Sequence, residues 1–237
     1  LFTPMEPEVL WPACLKRMER KLGELPVRSP VQKARATISR RCRDFAERPG
    51  AVYRLNVPTG GGKTLSSLRY ALAHAARWRK THIIFALPLL AIIEQNAQEI
   101  RNYVQDDDLI LEHHSDVVNT EQQDEADRRE LLVQTWDAPI IVTTLVQLLN
   151  TLFSGKMSSI RRFHSLCDSV IVIDEVQTVP VRMLTLFNLA VNFLTQACGA
   201  TVVLCSATQP CLEAADHPLH RQPVDLVPQQ KALWDVF

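Results

Sequence analysis

The sequence contains no C-x-x-C pair. Its six cysteines, Cys14, Cys42, Cys167, Cys198, Cys205 and Cys211, are scattered, which argues against a zinc knuckle and against a disulfide framework. Reduced thiols in a cytoplasmic protein are the plain reading. No basic stretch followed by an apolar one opens the chain, so nothing in it reads as a secretory signal. Net charge is also missing: Lys plus Arg and Asp plus Glu each number 26, and whole-chain electrostatics supply no pull toward nucleic acid or a membrane surface. The balance is uneven along the chain. Residues 1–105 carry 18 basic and 8 acidic groups, and residues 106–237 carry 8 and 18. Internal repeats are absent. With 46% hydrophobic and 22% charged residues over 237 positions, disorder is excluded, and the apolar content suffices for one substantial core or two small ones.

Met183 to Leu212 holds no charged residue and exceeds the roughly 20 apolar residues of a membrane span. Asn188, Asn192, Gln196 and Gly199 interrupt it, so a buried helix followed by a buried strand fits better, and no membrane is expected as a partner. Apolar β-branched runs at His82 to Ala86, Ile140 to Thr143 and Val170 to Ile173 predict central parallel strands, which lose polar alternation because both faces are covered. Val52 to Val57 and Thr201 to Cys205 are further strands of this kind, and Leu109 to Leu111 is a weaker one. Between them Thr64 to Trp78, Leu89 to Val104, Leu145 to Phe153 and Met183 to Ala197 carry Leu, Ala, Gln and Arg at helical spacing. Alternation of strand and helix predicts right-handed crossovers and one α/β fold, a three-layer domain with a mainly parallel central sheet, over residues 30–215.

The ends differ in composition. Prolines at 4, 7, 12, 26 and 30, and again at 218, 223 and 228, make residues 1–29 and 216–237 resemble connections to neighbouring domains. The chain opens on Leu1 rather than Met and reads as part of a longer polypeptide. The acidic stretch Glu121 to Glu130 reads as a solvated helix face.

Thr59-Gly60-Gly61-Gly62-Lys63-Thr64 lies between the Val52 strand and the following helix, the context a phosphate-binding loop requires. Consecutive glycines let backbone N–H groups converge, and the helix N-terminus adds partial positive charge. Such a concavity suits a triphosphate. Lys63 would reach the β- and γ-phosphates, and the Thr64 hydroxyl would take one position on Mg²⁺. The strict pattern wants glycine where Val57 stands. The loop alone leaves kinases, transporters and GTPases open.

Asp174 and Glu175 follow the Val170 strand and should emerge at its carboxyl end, where open α/β sheets bind ligands. Asp174 would hold Mg²⁺, and Glu175 would polarise the water that attacks the γ-phosphate. Loop and acidic pair are expected to meet across neighbouring strand tips.

Asp174-Glu175-Val176-Gln177 resembles the D-E-x-x box of superfamily-two helicases, and Ser206-Ala207-Thr208 resembles their S-A-T motif. A closer resemblance rests on V-P-T-G-G-G-K-T-L-S-S-L-R-Y-A-L-A-H-A (57–75), I-I-E-Q-N-A (92–97), L-E-H-H-S (111–115), V-T-T-L-V-Q (142–147) and I-D-E-V-Q-T-V-P (173–180). This string over about residues 30–213 is similar to the CRISPR-associated helicase-nuclease of type I systems, most of all its subtype I-C form. The resemblance implies the first RecA-like domain of an ATP-dependent single-stranded DNA translocase acting against foreign DNA. It implies partners as well: an RNA-guided CRISPR surveillance complex, an upstream HD nuclease domain and a second RecA-like domain that supplies a catalytic arginine. By the same resemblance Gln177, Ser206 and Thr208 couple the nucleotide site to the nucleic-acid path, and Gln95, Thr143 and Thr144 hold the DNA backbone. Hydroxyls and amides suit phosphate contacts without base reading. Thr143 and Thr144 also suit ordinary strand-end packing, and Gln95 an exposed helix position.

Upstream, Gln32 stands where these motors place an adenine-recognising glutamine, while Arg35, Arg40, Arg41 and Arg43 read as a solvated helix face. His113-His114-Ser115-Asp116 superficially suggests a metal motif, but adjacent histidines on an extended segment point to opposite sides, so these residues read as structural. Two other functions stay open on the sequence: a nucleotide-binding module that does not hydrolyse ATP by itself, and another superfamily-two helicase or translocase.

Overall fold

The computed structural model describes residues 6–88, 90–113, 131–207, 212, 215–228 and 231–237. Helices α1 (Pro7–Glu24) and α2 (Pro30–Phe45) precede β1 (Val52–Asn56), α3 (Lys63–Trp78), β2 (Ile83–Leu87) and α4 (Leu90–Val104). There follow β3 (Ile110–His113), β4 (Ile140–Thr144), α5 (Leu145–Phe153), α6 (Met157–Arg162) and β5 (Val170–Ile173). The series closes with α7 (Leu184–Gln196), β6 (Thr201–Ser206), β7 (Val224–Asp225) and α8 (Lys231–Trp234).

The strands form one seven-stranded sheet in the order β3-β4-β2-β5-β6-β1-β7, and every pairing is parallel. All strands therefore point their carboxyl ends to one edge. Residue alternation divides the core into two layers. Leu55, Phe85, Val142, Val172 and Val203 face α1 to α4, whereas Ile84, Ile141, Ile171, Val202 and Leu204 face the side of α5 and α7. Burying an apolar side chain of this size contributes roughly 1.5–3 kcal/mol, and coverage on both faces explains the near absence of polar alternation in these strands. The charge-free run resolves as expected into α7, whose Phe187, Val191 and Leu194 are buried in the second layer, and β6, whose side chains are buried in both layers. Among the described residues no helix is long and apolar enough to cross a membrane.

The ends depart from expectation. Residues 7–24, expected within a connection, form α1, and its Trp11, Cys14 and Met18 are wholly buried in the first core layer. The reason is positional. Pro7 opens α1 and Pro30 opens α2, and proline is tolerated in the first turn because its missing N–H has no intrahelical partner there anyway. Ser29 and Gln32 then close a capping box on α2. Arg69 of α3 grips Glu19 of α1 through Nε and Nη2 at 2.8 and 2.6 Å. At the other end Val224 and Asp225, expected in a linker, pair with β1, where Arg54 makes two hydrogen bonds to the Asp225 carboxylate at 2.7 and 3.0 Å.

The order of the inner strands corrects one further expectation. The loop after β1 and the acidic pair after β5 are not on neighbouring strands, because β6 lies between them. The third motif, at the end of β6, thus stands between the other two.

Candidate nucleotide site

The loop begins where Val57 leaves β1, its N–H donating to the Ser206 carbonyl at 3.3 Å. Pro58 to Gly61 form a turn closed by the Gly61 N–H on the Pro58 carbonyl at 2.9 Å. Gly60 and Gly62 take φ of +82° and +78°, which glycine adopts without the Cβ penalty. Gly61 is required on other grounds. A Cβ there would lie 2.1 Å from Val57 Cγ1 and 2.9 Å from the Pro58 carbonyl oxygen. The valine that departs from the strict pattern therefore fills the space that the middle glycine vacates.

Helix α3 starts at Lys63. The lysine side chain, 11% exposed, crosses to Glu175 Oε1 at 2.5 Å. Two groups 112 residues apart in the chain are thereby brought together. Thr64 donates its hydroxyl proton to Asn96 Oδ1 at 2.9 Å, which leaves the oxygen lone pairs free for a cation. Asp174 is half-buried; its Oδ1 accepts the Glu175 N–H at 2.9 Å. Burial pushes the Asp174 carboxyl above the ordinary carboxylate range, and the nearby Lys63 charge only partly offsets that. Burial pushes Glu175 the same way, but hydrogen bonds from Lys63 and Gln177 and the charge of Lys63 outweigh it and hold that carboxyl low. A desolvated acid beside an ionised one is a donor set that a divalent cation would relieve. Glu175 itself sits at φ +49°, a left-handed conformation costing about 1–3 kcal/mol for a residue with a side chain. It turns the carboxylate back toward Lys63.

The site continues beyond the acidic pair. Gln177 Nε2 donates to Glu175 Oε2, and Gln177 Oε1 accepts the Ser206 hydroxyl at 2.7 Å. Lys63, Glu175, Gln177 and Ser206 form one hydrogen-bonded chain across the tips of β1, β5 and β6. Thr208 lies outside the described residues, as do Leu89, residues 114–130 and Cys211; Asp116 and the acidic stretch fall among these.

The other expected residues separate. Gln95 is exposed on α4. Thr143, expected to hold a DNA backbone, is fully buried, and its hydroxyl donates to the His113 carbonyl at 2.9 Å, a contact within the sheet. Thr144 Oγ1 caps α5 by accepting the Gln147 N–H at 3.1 Å. The amide oxygen of Gln32 accepts the backbone N–H groups of Arg28 and Ser29, both at 2.9 Å. His113 is buried, with Nδ1 accepting from Trp136 Nε1 at 3.1 Å, in keeping with a structural role. Among the described residues no group of three or more His, Cys, Asp or Glu is arranged to hold a metal.

Two residues of the site were not legible beforehand. Asn96 lies beside the exposed Gln95 among Glu94, Gln98 and Glu99, and nothing in that polar stretch singles it out. Arg35, grouped with a solvated helix face, instead donates from Nε to the Gly60 carbonyl at 2.6 Å. Arg43 on the same helix does stay at the surface, 3.6 Å from Glu19.

Residues 30–216 match the DEAD/DEAH box helicase family, and the chain belongs to that family. Among individual proteins it is 25% identical over 182 residues to the CRISPR-associated nuclease/helicase Cas3 of Haloferax volcanii, covering 67% of this chain and 19% of that protein. The fold is similar to that of T. fusca Cas3 solved with AMPPNP, at TM-score 0.62 and 22% identity over 83% of this chain and 22% of that one. It is also similar to the DUF1998 helicase MrfA, at TM-score 0.56 and 18% identity over 90% of this chain and 32% of that one. The chain spans about a fifth of the length of the Cas3 relatives it matches.

Proposed function

We propose that the chain is the ATP-binding motor domain of a CRISPR-associated, ATP-dependent single-stranded DNA translocase or helicase. The observation that carries this reading is the meeting of Lys63 with Glu175, joined through Gln177 to Ser206. Triphosphate would lie on the loop N–H groups, with Lys63 leaving Glu175 to reach its terminal oxygens. Thr64 and Asp174 would hold Mg²⁺, which when bound neutralises phosphate oxygens. Glu175, released from the lysine and kept ionised, would orient and deprotonate the attacking water. The hydroxyl and amide of Ser206 and Gln177 would transmit the state of that carboxylate toward the nucleic acid, with Thr208 in the same motif. Gln95 on α4 and Thr144 at the start of α5 would contact the DNA backbone.

The likeness to Cas3 supports the CRISPR assignment and, with it, an upstream HD nuclease domain, a downstream RecA-like domain and recruitment by an RNA-guided surveillance complex in the whole protein. Gln32 would reach adenine with its amide NH₂, since its oxygen is held in the helix cap. The test is steady-state ATPase of the full-length protein with and without single-stranded DNA. Turnover that rises at least several-fold with DNA is the expected result. Binding of ATP with no turnover under either condition would mark a nucleotide-binding module, and stimulation by RNA alone would mark a different helicase.

A further inference from the structure

Arg35 is exposed on α2, 25 residues before the loop it touches. An exposed arginine on a charged helix ordinarily contributes little. This one is bound to the loop in two ways. Its Nε donates to the Gly60 carbonyl at 2.6 Å, and its stem runs over the open face of Gly62, with Cγ and Cδ 3.7 and 3.9 Å from where a Cβ would stand. Nη2 lies 3.8 Å from the corresponding point on Gly60. The left-handed conformations of Gly60 and Gly62 are what turn their side-chain-free faces toward the arginine.

The peptide between Gly60 and Gly61 is consequently fixed at both polar ends, its carbonyl by Arg35 and its N–H by the Pro58 carbonyl at 2.9 Å. A run of three glycines has more backbone freedom to lose than any other sequence. A loop that must be ordered by its ligand binds more weakly than one already ordered. Holding the Gly60 carbonyl outward leaves the loop's concave side to N–H groups, the polarity a phosphate needs.

We propose that Arg35 is a positioning residue for nucleotide binding, acting through the Gly60 carbonyl to keep the phosphate loop preformed. The proposal rests on the nucleotide-site reading above. Its expected signature separates binding from chemistry, because Arg35 reaches the loop from outside and is hydrogen-bonded to none of Lys63, Asp174 or Glu175 among the described residues. Arg35→Met keeps the stem over Gly62 and removes the donor. Arg35→Lys keeps a charged donor of similar reach.

The experiment measures binding of a fluorescent ATP analogue, and KM and kcat for ATP, in the full-length protein and in these two variants, with Lys63→Ala alongside. Arg35→Met is expected to weaken binding and raise KM by about tenfold, the scale of one charge-assisted hydrogen bond, with kcat within about twofold of the parent. Arg35→Lys is expected to recover most of that loss. Arg35→Met affinity within twofold of the parent, with Lys63→Ala strongly impaired, overturns the positioning role alone. A fall in kcat and thermal stability with unchanged KM also overturns it, in favour of a merely structural arginine. Unimpaired binding by Lys63→Ala instead defeats the nucleotide-site reading itself.

Discussion

Lys63→Ala is expected to lower affinity for Mg-ATP by about 100-fold or more, on the order of 3 kcal/mol, the upper range for hydrogen bonds made by a charged group. The side chain is 11% exposed and donates to Glu175 in this structure. Nucleotide must therefore draw the ammonium away from one anion to another, which it can do only if the phosphates offer more charge at equal reach. Alanine removes the positive end of that exchange and leaves Glu175 with the Gln177 amide as its remaining named partner. The fold should tolerate the change, because Lys63 stands at the first position of α3 and not in either apolar layer. Calorimetric titration checks the affinity, and circular dichroism of the same samples checks the fold. Unchanged affinity would remove the lysine from the site.

Glu175→Gln should behave in the opposite sense toward binding. Glutamine keeps the shape and can still meet Gln177, but it no longer competes with phosphate for Lys63. Nucleotide affinity is expected to hold or rise. Turnover is expected to fall about 10³-fold, within the 10²–10⁴ contribution of a positioned general base. Single-turnover ATP hydrolysis at saturating nucleotide distinguishes this from a binding defect. Hydrolysis within tenfold of the parent would reassign the role of Glu175, and Asp174 would then have to orient the water as well as hold the metal.

Much of this site is legible in the sequence because its parts are local. Gly60 to Thr64 carry a loop geometry within five residues, and Asp174-Glu175 end an apolar run whose strand character is plain from Val170 to Ile173. The inner strands are legible for the same reason: their β-branched residues are buried on both faces. What escapes depends on contacts between distant segments. That β6 intervenes between β1 and β5 is a matter of sheet order, which spacing along the chain does not encode. Arg35 shows on sequence only as one of several basic residues on a helix, and its importance arises from a carbonyl 25 residues away. Thr143 and Thr144 are adjacent yet unequal, since one hydroxyl turns to His113 in the sheet and the other caps α5. The prolines of α1 mislead because composition suggests a connection, whereas Pro7 stands in the first turn, where it is tolerated, and the helix continues through Pro12 so that Trp11 and Met18 reach the core.

On the reading proposed above, the glycine loop and the acidic pair enclose one metal-bound triphosphate. The most direct measurement is a crystal structure of the protein grown with AMPPNP and Mg²⁺. Triphosphate density is expected on the loop N–H groups, with Lys63 moved from Glu175 onto the phosphates and a cation held by Thr64 and Asp174. Nucleotide bound elsewhere on the sheet edge, with the Lys63–Glu175 pair intact, would contradict that reading.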